Sequence, residues 1–349
     1  MRSFAMIYFN CDYNEGAHPE VLGRLCETNM EQTSGYGEDI YCERARGVIR
    51  GLCGNDRLGV HFLVGGTQVN LTVIAAALRP HQGVLAAESG HINVHETGAI
   101  EACGHKVLTV PSENGKISAR QVEEVYRIHV EDESMEHTVQ PKMVYISNPT
   151  ELGTIYSKAE LEELSAVCKK NGLYLFMDGA RLGYGLAAKG NDLDLKTIAE
   201  LCDVFYIGGT KAGALFGEAV VISNPALQED FRYIIKQKGG MLAKGRLLGI
   251  QFLALLENEL YFELGKRANV MADIIRKACR ESGYPFLIEN TTNQIFTIMP
   301  DDKLDSLREK YTFSYEKRID ESHSAVRFCT SWATEEVNAQ KLAEDISND

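Results

Sequence analysis

Leu173-Tyr174-Leu175-Phe176-Met177-Asp178-Gly179-Ala180-Arg181 is the stretch whose reading decides the fold. Its apolar run has the length of a strand and no polar alternation, which describes a strand buried on both faces. Just before it, residues 158–171 place Leu161, Leu164 and Val167 on one helical face, and Asn171-Gly172 supplies the stop signal. Outward from this unit, His61–Val64, Val84–Ala87, Val107–Val110, Met143–Ser147, Val204–Ile207 and Ala219–Ile222 read as further buried strands. Helical segments lie between several of them. The chain is expected to be α/β, with a mostly parallel central sheet flanked by helices on both faces.

The rhythm changes after Ile222. Residues 224–236 and 245–282 read as helical, strands follow at Gln294–Met299 and Ala325–Cys329, and a terminal helix starts at Thr334. A large domain over 1–250 and a smaller α+β domain over 251–349 are therefore expected.

Composition narrows the function classes. With 44% hydrophobic and 24% charged residues the chain is neither disordered nor fibrous. Acidic residues outnumber basic ones 49 to 36, and a net charge of −13 opposes binding to nucleic acid or to an anionic membrane surface. The nine cysteines are an odd number without a CxxC pair, which reads as reduced thiols in the cytoplasm. No run reaches the roughly 18 apolar residues of a membrane span.

Ligands of open α/β sheets bind beyond the carboxyl ends of the strands, and three segments carry chemistry there. Val64-Gly65-Gly66-Thr67-Gln68 turns a strand into a helix: glycines admit a ligand, a hydroxyl follows, and the helix start offers unpaired N–H groups to a phosphate. Read alone, it is also an ordinary strand-to-helix turn. Asp178 ends the deciding strand, with Arg181 close behind; a helix cap would look the same. Lys211, within Gly208-Gly209-Thr210-Lys211-Ala212-Gly213, follows a buried strand, where partial burial makes an amine nucleophilic. Pairing with an acidic neighbour is its other reading. Taken in order, a phosphate cradle, a strand-end carboxylate and a strand-end lysine 33 residues later meet the needs of pyridoxal 5′-phosphate. Asp178 would face its ring nitrogen and Lys211 its aldehyde. His91 and His95 share a helical face without HExxH spacing, so no metal site is expected.

The same residues resemble the low-specificity threonine aldolases of the β-eliminating lyase family, fold type I pyridoxal-phosphate enzymes. Phe9-Asn10-Cys11-Asp12 is similar to the family's first segment, with Cys11 where serine is usual, and Tyr36-Gly37-Glu38-Asp39 to a second. Asp178-Gly179-Ala180-Arg181-Leu182 matches the DGARL motif, and Val326-Arg327-Phe328 resembles the strand that carries the substrate-binding arginine. The resemblance implies that Gly66, Thr67 and Thr210 contact the phosphate, that His91 stacks on the ring, and that Lys211 bonds the aldehyde. It also implies a substrate site at Cys11, Tyr36, Arg181 and Arg327. Thr210 replaces the usual serine but keeps the hydroxyl. In Lys238-Gly239-Gly240-Met241-Leu242, Leu242 replaces an arginine, for which Lys244 or Arg246 could substitute.

The expected activity is cleavage of threonine, allo-threonine or phenylserine to glycine and an aldehyde, with Lys211, His91 and Asp178 catalytic and His91 taking the β-hydroxyl proton. A β-eliminating lyase or an aminotransferase would use the same lysine and aspartate, and a non-catalytic relative would only bind the cofactor. A homodimer or homotetramer with shared active sites is implied by the resemblance.

Overall fold

The computed structural model describes residues 6–348. A short strand β1 (Ile7–Tyr8) opens it, and seven strands follow: β2 (Gly59–Leu63), β3 (Gln82–Ala87), β4 (Lys106–Val110), β5 (Gln140–Ser147), β6 (Tyr174–Asp178), β7 (Val204–Gly208) and β8 (Glu218–Ile222). These seven form one sheet in the order β2-β8-β7-β6-β5-β3-β4. Only β8 runs against its neighbours, so the sheet is parallel in six of its seven strands. All seven apolar runs of the sequence reading coincide with these strands, with Val64 and Leu173 each one residue outside β2 and β6.

Side chains alternate between two apolar cores, one on each face. Val144, Ile146, Leu175, Met177, Phe205 and Ile207 enter one, while Met143, Tyr145, Phe176, Val204 and Tyr206 enter the other. Both faces are covered by helices, which is why these strands lack polar alternation. The helix Lys158–Asn171 forms where expected, because both ends are determined locally. Ser157 and Glu160 make a reciprocal capping box, and Gly172 closes the helix at φ 63°.

The C-terminal part holds β9 (Phe286–Ile288), β10 (Gln294–Pro300), β11 (Tyr311–Thr312), β12 (Ser314–Arg318) and β13 (His323–Cys329), then a last helix, Glu336–Ser347. Four of these strands form an antiparallel sheet, β12-β13-β10-β9, and β11 pairs in parallel with β1. A third apolar cluster therefore joins Phe9 to Met271, Ile275, Ile295, Val326, Phe328 and Leu342.

Two helical expectations are modified. The stretch 245–282 is two helices, Arg246–Leu256 and Leu260–Glu281, separated where Glu259 adopts φ 61°. The stretch 224–236 becomes a short 3₁₀ turn, Pro225–Leu227, and a helix, Phe231–Gln237. The expected domain division at 250 falls inside the buried helix Arg246–Leu256.

Candidate active site

A cavity of about 320 Å³ opens at the carboxyl ends of the parallel strands. Its wall includes Gly65, Gly66, Thr67, His91, Asp178, Arg181, Thr210 and Lys211. The three segments separated in sequence thus meet in one place, within the roughly 300–1,000 Å³ range of small-molecule sites. The parallel topology accounts for this: β2, β6 and β7 all end at the same edge.

The phosphate-type cradle is the start of the helix Gly66–Ala77. Its cap residue Gly65 has no side chain to bond the first-turn N–H groups, and a Cβ added there would meet nothing within 4 Å. Thr67 is exposed beside it. An uncapped helix start with open space in front of it suits an anion.

Asp178, the last residue of β6, is buried and receives four donors. Tyr145 Oη (2.6 Å) and Asn70 Nδ2 (3.2 Å) reach Oδ2, while the Ala180 N–H (3.0 Å) and Tyr206 Oη reach Oδ1. Register explains the tyrosines. Ser147 pairs with Asp178 across β5–β6, placing Tyr145 on the same face, and Met177 pairs with Phe205, bringing Tyr206 beside Asp178. Burial, reinforced by Asp178, keeps both phenols protonated well above their ordinary range. They act here as donors.

The Lys211 carbonyl accepts from the Tyr184 hydroxyl, but the Lys211 Nζ makes no hydrogen bond or ion pair among the described residues and lies 5.9 Å from the Tyr13 ring centroid. Burial and the nearby Arg181 lower its pKa, against the opposing pull of Asp12, Asp178 and Glu218. Arg181 itself is gripped by Asp12, with Nε 2.6 Å from Oδ2 and Nη2 3.0 Å from Oδ1. Burial would raise the Asp12 pKa, but Arg181, Lys211 and Asn293 together hold it below the usual carboxylate value. Glu218, also in the cavity wall, is pushed by burial to about 7, while Thr210, Lys211 and the Gly209 N–H pull the other way.

His91 lines the cavity at the start of a one-turn helix, His91–Val94. Its Nδ1 lies 2.7 Å from Glu96 Oε1, and its backbone N–H donates to Glu151 Oε1 at 2.9 Å. Ser147 Oγ donates to the same Glu151 oxygen at 2.6 Å, and burial raises the Glu151 pKa. The neighbouring His95 is shifted down, by burial first and then by His91.

The remaining expected residues lie off this wall. Arg327 donates through Nη2 to Ser314 Oγ (3.1 Å) and to the Asn10 carbonyl (3.3 Å), and its buried Nε, without a hydrogen bond among the described residues, faces Glu316 Oε1 at 3.7 Å. Its charge reaches the cavity-lining Tyr13. Cys11 is buried, with Sγ donating to Asn14 Oδ1 at 3.1 Å. Tyr36 (φ 60°) sits away from the cavity, in a surface hollow with Arg232, Tyr233, Lys236 and Met241. Leu242 lies next to that hollow, Lys244 is exposed, and Arg246 is engaged by the carbonyls of Asn29 and Glu31.

The sequence reading passed over Asp12 as a partner for Arg181, and over Tyr145, Tyr206, Asn70, Glu96, Glu151 and Glu218. For the tyrosines a signal existed: each is in a buried strand at the level of the Asp178 strand end. The others reach the site through long-range packing. The assembled set fits a ligand with a phosphate, a basic ring nitrogen and an aldehyde: an uncapped helix start, a fixed carboxylate and an unpartnered amine share one cavity.

Comparison with known proteins agrees with this geometry. The beta-eliminating lyase family model matches residues 14–302. A low specificity L-threonine aldolase of Pseudomonas sp. (strain NCIMB 10558) is 32% identical, covering 97% of this chain and 96% of that protein. A solved threonine aldolase structure from Leishmania major superposes with a TM-score of 0.95 at 45% identity, covering 97% of this chain and 98% of that one. An aspartate aminotransferase double mutant from Thermus thermophilus shares the fold alone, with a TM-score of 0.72 at 14% identity over 99% of this chain and 91% of its own. The matched residues contain the cradle, Asp178 and Lys211 alike, and the chain belongs to the beta-eliminating lyase family.

Proposed function

We propose that this protein is a pyridoxal 5′-phosphate-dependent lyase that cleaves β-hydroxy-α-amino acids of the threonine type to glycine and an aldehyde. The observation that carries the reading is the unpartnered Lys211 amine, lowered in pKa, sharing a cavity with Asp178 and the uncapped helix start. The similarity to L-threonine aldolases supplies the substrate class.

Gly66, Thr67 and Thr210 would hold the phosphate, Asp178 the ring nitrogen and Lys211 the aldehyde. When bound, the cofactor supplies an electron sink conjugated to the substrate α-carbon. Lys211 is suited to its part because a lowered pKa leaves more of the amine uncharged and nucleophilic. Arg327 binds the substrate carboxylate, and Arg181 can assist it, because Asp12 takes only the Nε hydrogen and one Nη2 hydrogen of that guanidinium and leaves the Nη1/Nη2 edge to a ligand. Arg181 also adds the positive charge that favours the neutral Lys211 amine. His91, held by Glu96 and Glu151, takes the β-hydroxyl proton.

The face bearing Tyr36, Leu242 and Lys244 is assigned to a second copy of the chain that shares the site. Lys244, unlike Arg246, is free there to meet a phosphate. No described helix is long and apolar enough to cross a membrane, and all nine cysteines are unpaired, which supports a cytoplasmic location.

The test is to incubate the purified protein with pyridoxal phosphate and L-threonine, allo-threonine or phenylserine, without a keto acid. Equal glycine and aldehyde over many turnovers is expected. Glycine-free release of ammonia with 2-oxobutyrate from the threonines or phenylpyruvate from phenylserine, or amino transfer that requires a keto acid, would replace the aldolase reading with β-elimination or transamination.

A further inference from the structure

Behind the cavity wall, two buried residues connect His91 to Asp178. Asn70 (0% exposed) and Glu96 (5% exposed) line no part of the cavity. Asn70 Nδ2 donates one hydrogen to Glu96 Oε1 at 2.6 Å and the other to Asp178 Oδ2 at 3.2 Å. Its orientation is fixed, because the flipped amide would turn Oδ1 toward two carboxylates. The arrangement leaves Asn70 Oδ1 and Glu96 Oε2 buried without hydrogen-bond partners among the described residues. Two such orphans impose a desolvation cost on the fold, which points to a use for the geometry they accompany.

That use follows from donor and acceptor roles. An amide nitrogen only donates, so Glu96 Oε1 is an acceptor toward Asn70. The same oxygen lies 2.7 Å from His91 Nδ1, so Nδ1 carries the hydrogen of that contact. In a neutral imidazole the free lone pair is then on Nε2. The His91 backbone is held separately by Glu151 Oε1, so the ring has a fixed base and a fixed partner.

We propose that Glu96, oriented by Asn70, is a positioning residue that holds His91 in the Nδ1–H tautomer, making Nε2 the atom that takes the β-hydroxyl proton. The bond broken is the substrate O–H and the bond formed is N–H on Nε2. Through its second hydrogen Asn70 ties this assembly to Asp178, so that base and ring-facing carboxylate are set by one buried unit. The inference rests on the proposed cleavage reaction, but its main readout does not.

The experiment is ring nitrogen–hydrogen correlation NMR on holoenzyme containing ¹⁵N-histidine, with the His91 signal identified by its loss in His91→Asn. The wild type is expected to show the Nδ1–H pattern. Glu96→Leu is expected to move His91 to the Nε2–H pattern and to lower kcat about 10²-fold, with KM and the cofactor absorbance little changed. Glu96→Gln still offers an acceptor oxygen, so it should keep the Nδ1–H pattern and lose less kcat than Glu96→Leu. An Nε2–H pattern in the wild type overturns the proposal even if Glu96→Leu does not fold. So does Glu96→Leu with tautomer and kcat both retained. A wild type that shows Nδ1–H yet releases no glycine overturns the cleavage reading and leaves the tautomer assignment standing.

Discussion

Replacing Asp178 by asparagine tests the floor of the site, and the structure gives the size of the effect. Four donors converge on the carboxylate: Tyr145 and Asn70 on Oδ2, Tyr206 and the Ala180 N–H on Oδ1. An asparagine amide must turn its NH₂ toward one of these pairs. A tyrosine hydroxyl can rotate and accept, but neither the Asn70 amide nitrogen nor the Ala180 N–H can. In either orientation one buried donor loses its acceptor, at a cost of about 1–3 kcal/mol in stability. Removal of the negative charge acts on turnover instead. Loss of one preorganised electrostatic partner in a shielded site is worth about 3–4 kcal/mol, or roughly 10²–10³-fold in kcat. Asp178→Asn should therefore unfold at lower urea, still take up some pyridoxal phosphate, and release glycine from L-threonine roughly 10²–10³-fold more slowly at saturating cofactor. A variant with near-normal kcat would reduce Asp178 to a cap for the turn at Ala180 and refute the assignment.

Arg327→Ala should raise KM for the amino acid steeply while leaving the absorbance of the bound cofactor unchanged; a shifted spectrum with normal KM would place Arg327 against the cofactor. Asp12→Asn strands the Arg181 guanidinium, and breaking a buried pair in this way costs about 3–5 kcal/mol. Urea unfolding measures that loss, and a change below about 1 kcal/mol would mean that water solvates Arg181 or another carboxylate pairs with it. Glu218 gives a pH signature. Its folded pKa, about 7, is above the ordinary 4.5, so the folded state holds an extra proton between these values and loses stability as pH rises through them. Glu218→Gln lacks this term, so the cofactor-free variant should gain on the wild type from pH 5 to pH 8 in urea melts. A constant difference would show that Glu218 titrates normally.

The parallel sheet was legible because each central strand is an unbroken apolar run, and Lys158–Asn171 because Ser157, Glu160 and Gly172 determine its ends locally. The break between the helices Arg246–Leu256 and Leu260–Glu281 was not, since its left-handed residue is Glu259 rather than a glycine. The pairing of β1 with β11 joins two-residue strands some 300 positions apart, and no local pattern announces it. In the site, Asp178 and Lys211 were readable because each follows a strand toward the ligand edge. Asp12, Asn70 and Glu96 were not: Asp12 meets Arg181 from the N-terminal segment, and Asn70 meets Glu96 and Asp178 from one turn inside a helix. Arg181 shows the consequence most clearly. Its motif was readable, but the carboxylate that holds its fork was not.

The most direct measurement is the chemical identity of the lysine that carries the cofactor. Borohydride reduction of the purified holoenzyme, followed by proteolysis and mass spectrometry, should place the pyridoxyl label on the peptide containing Lys211, with the visible absorbance lost at the same time. A label on any other lysine, or none on a protein that still releases glycine, would contradict an active site built around Lys211.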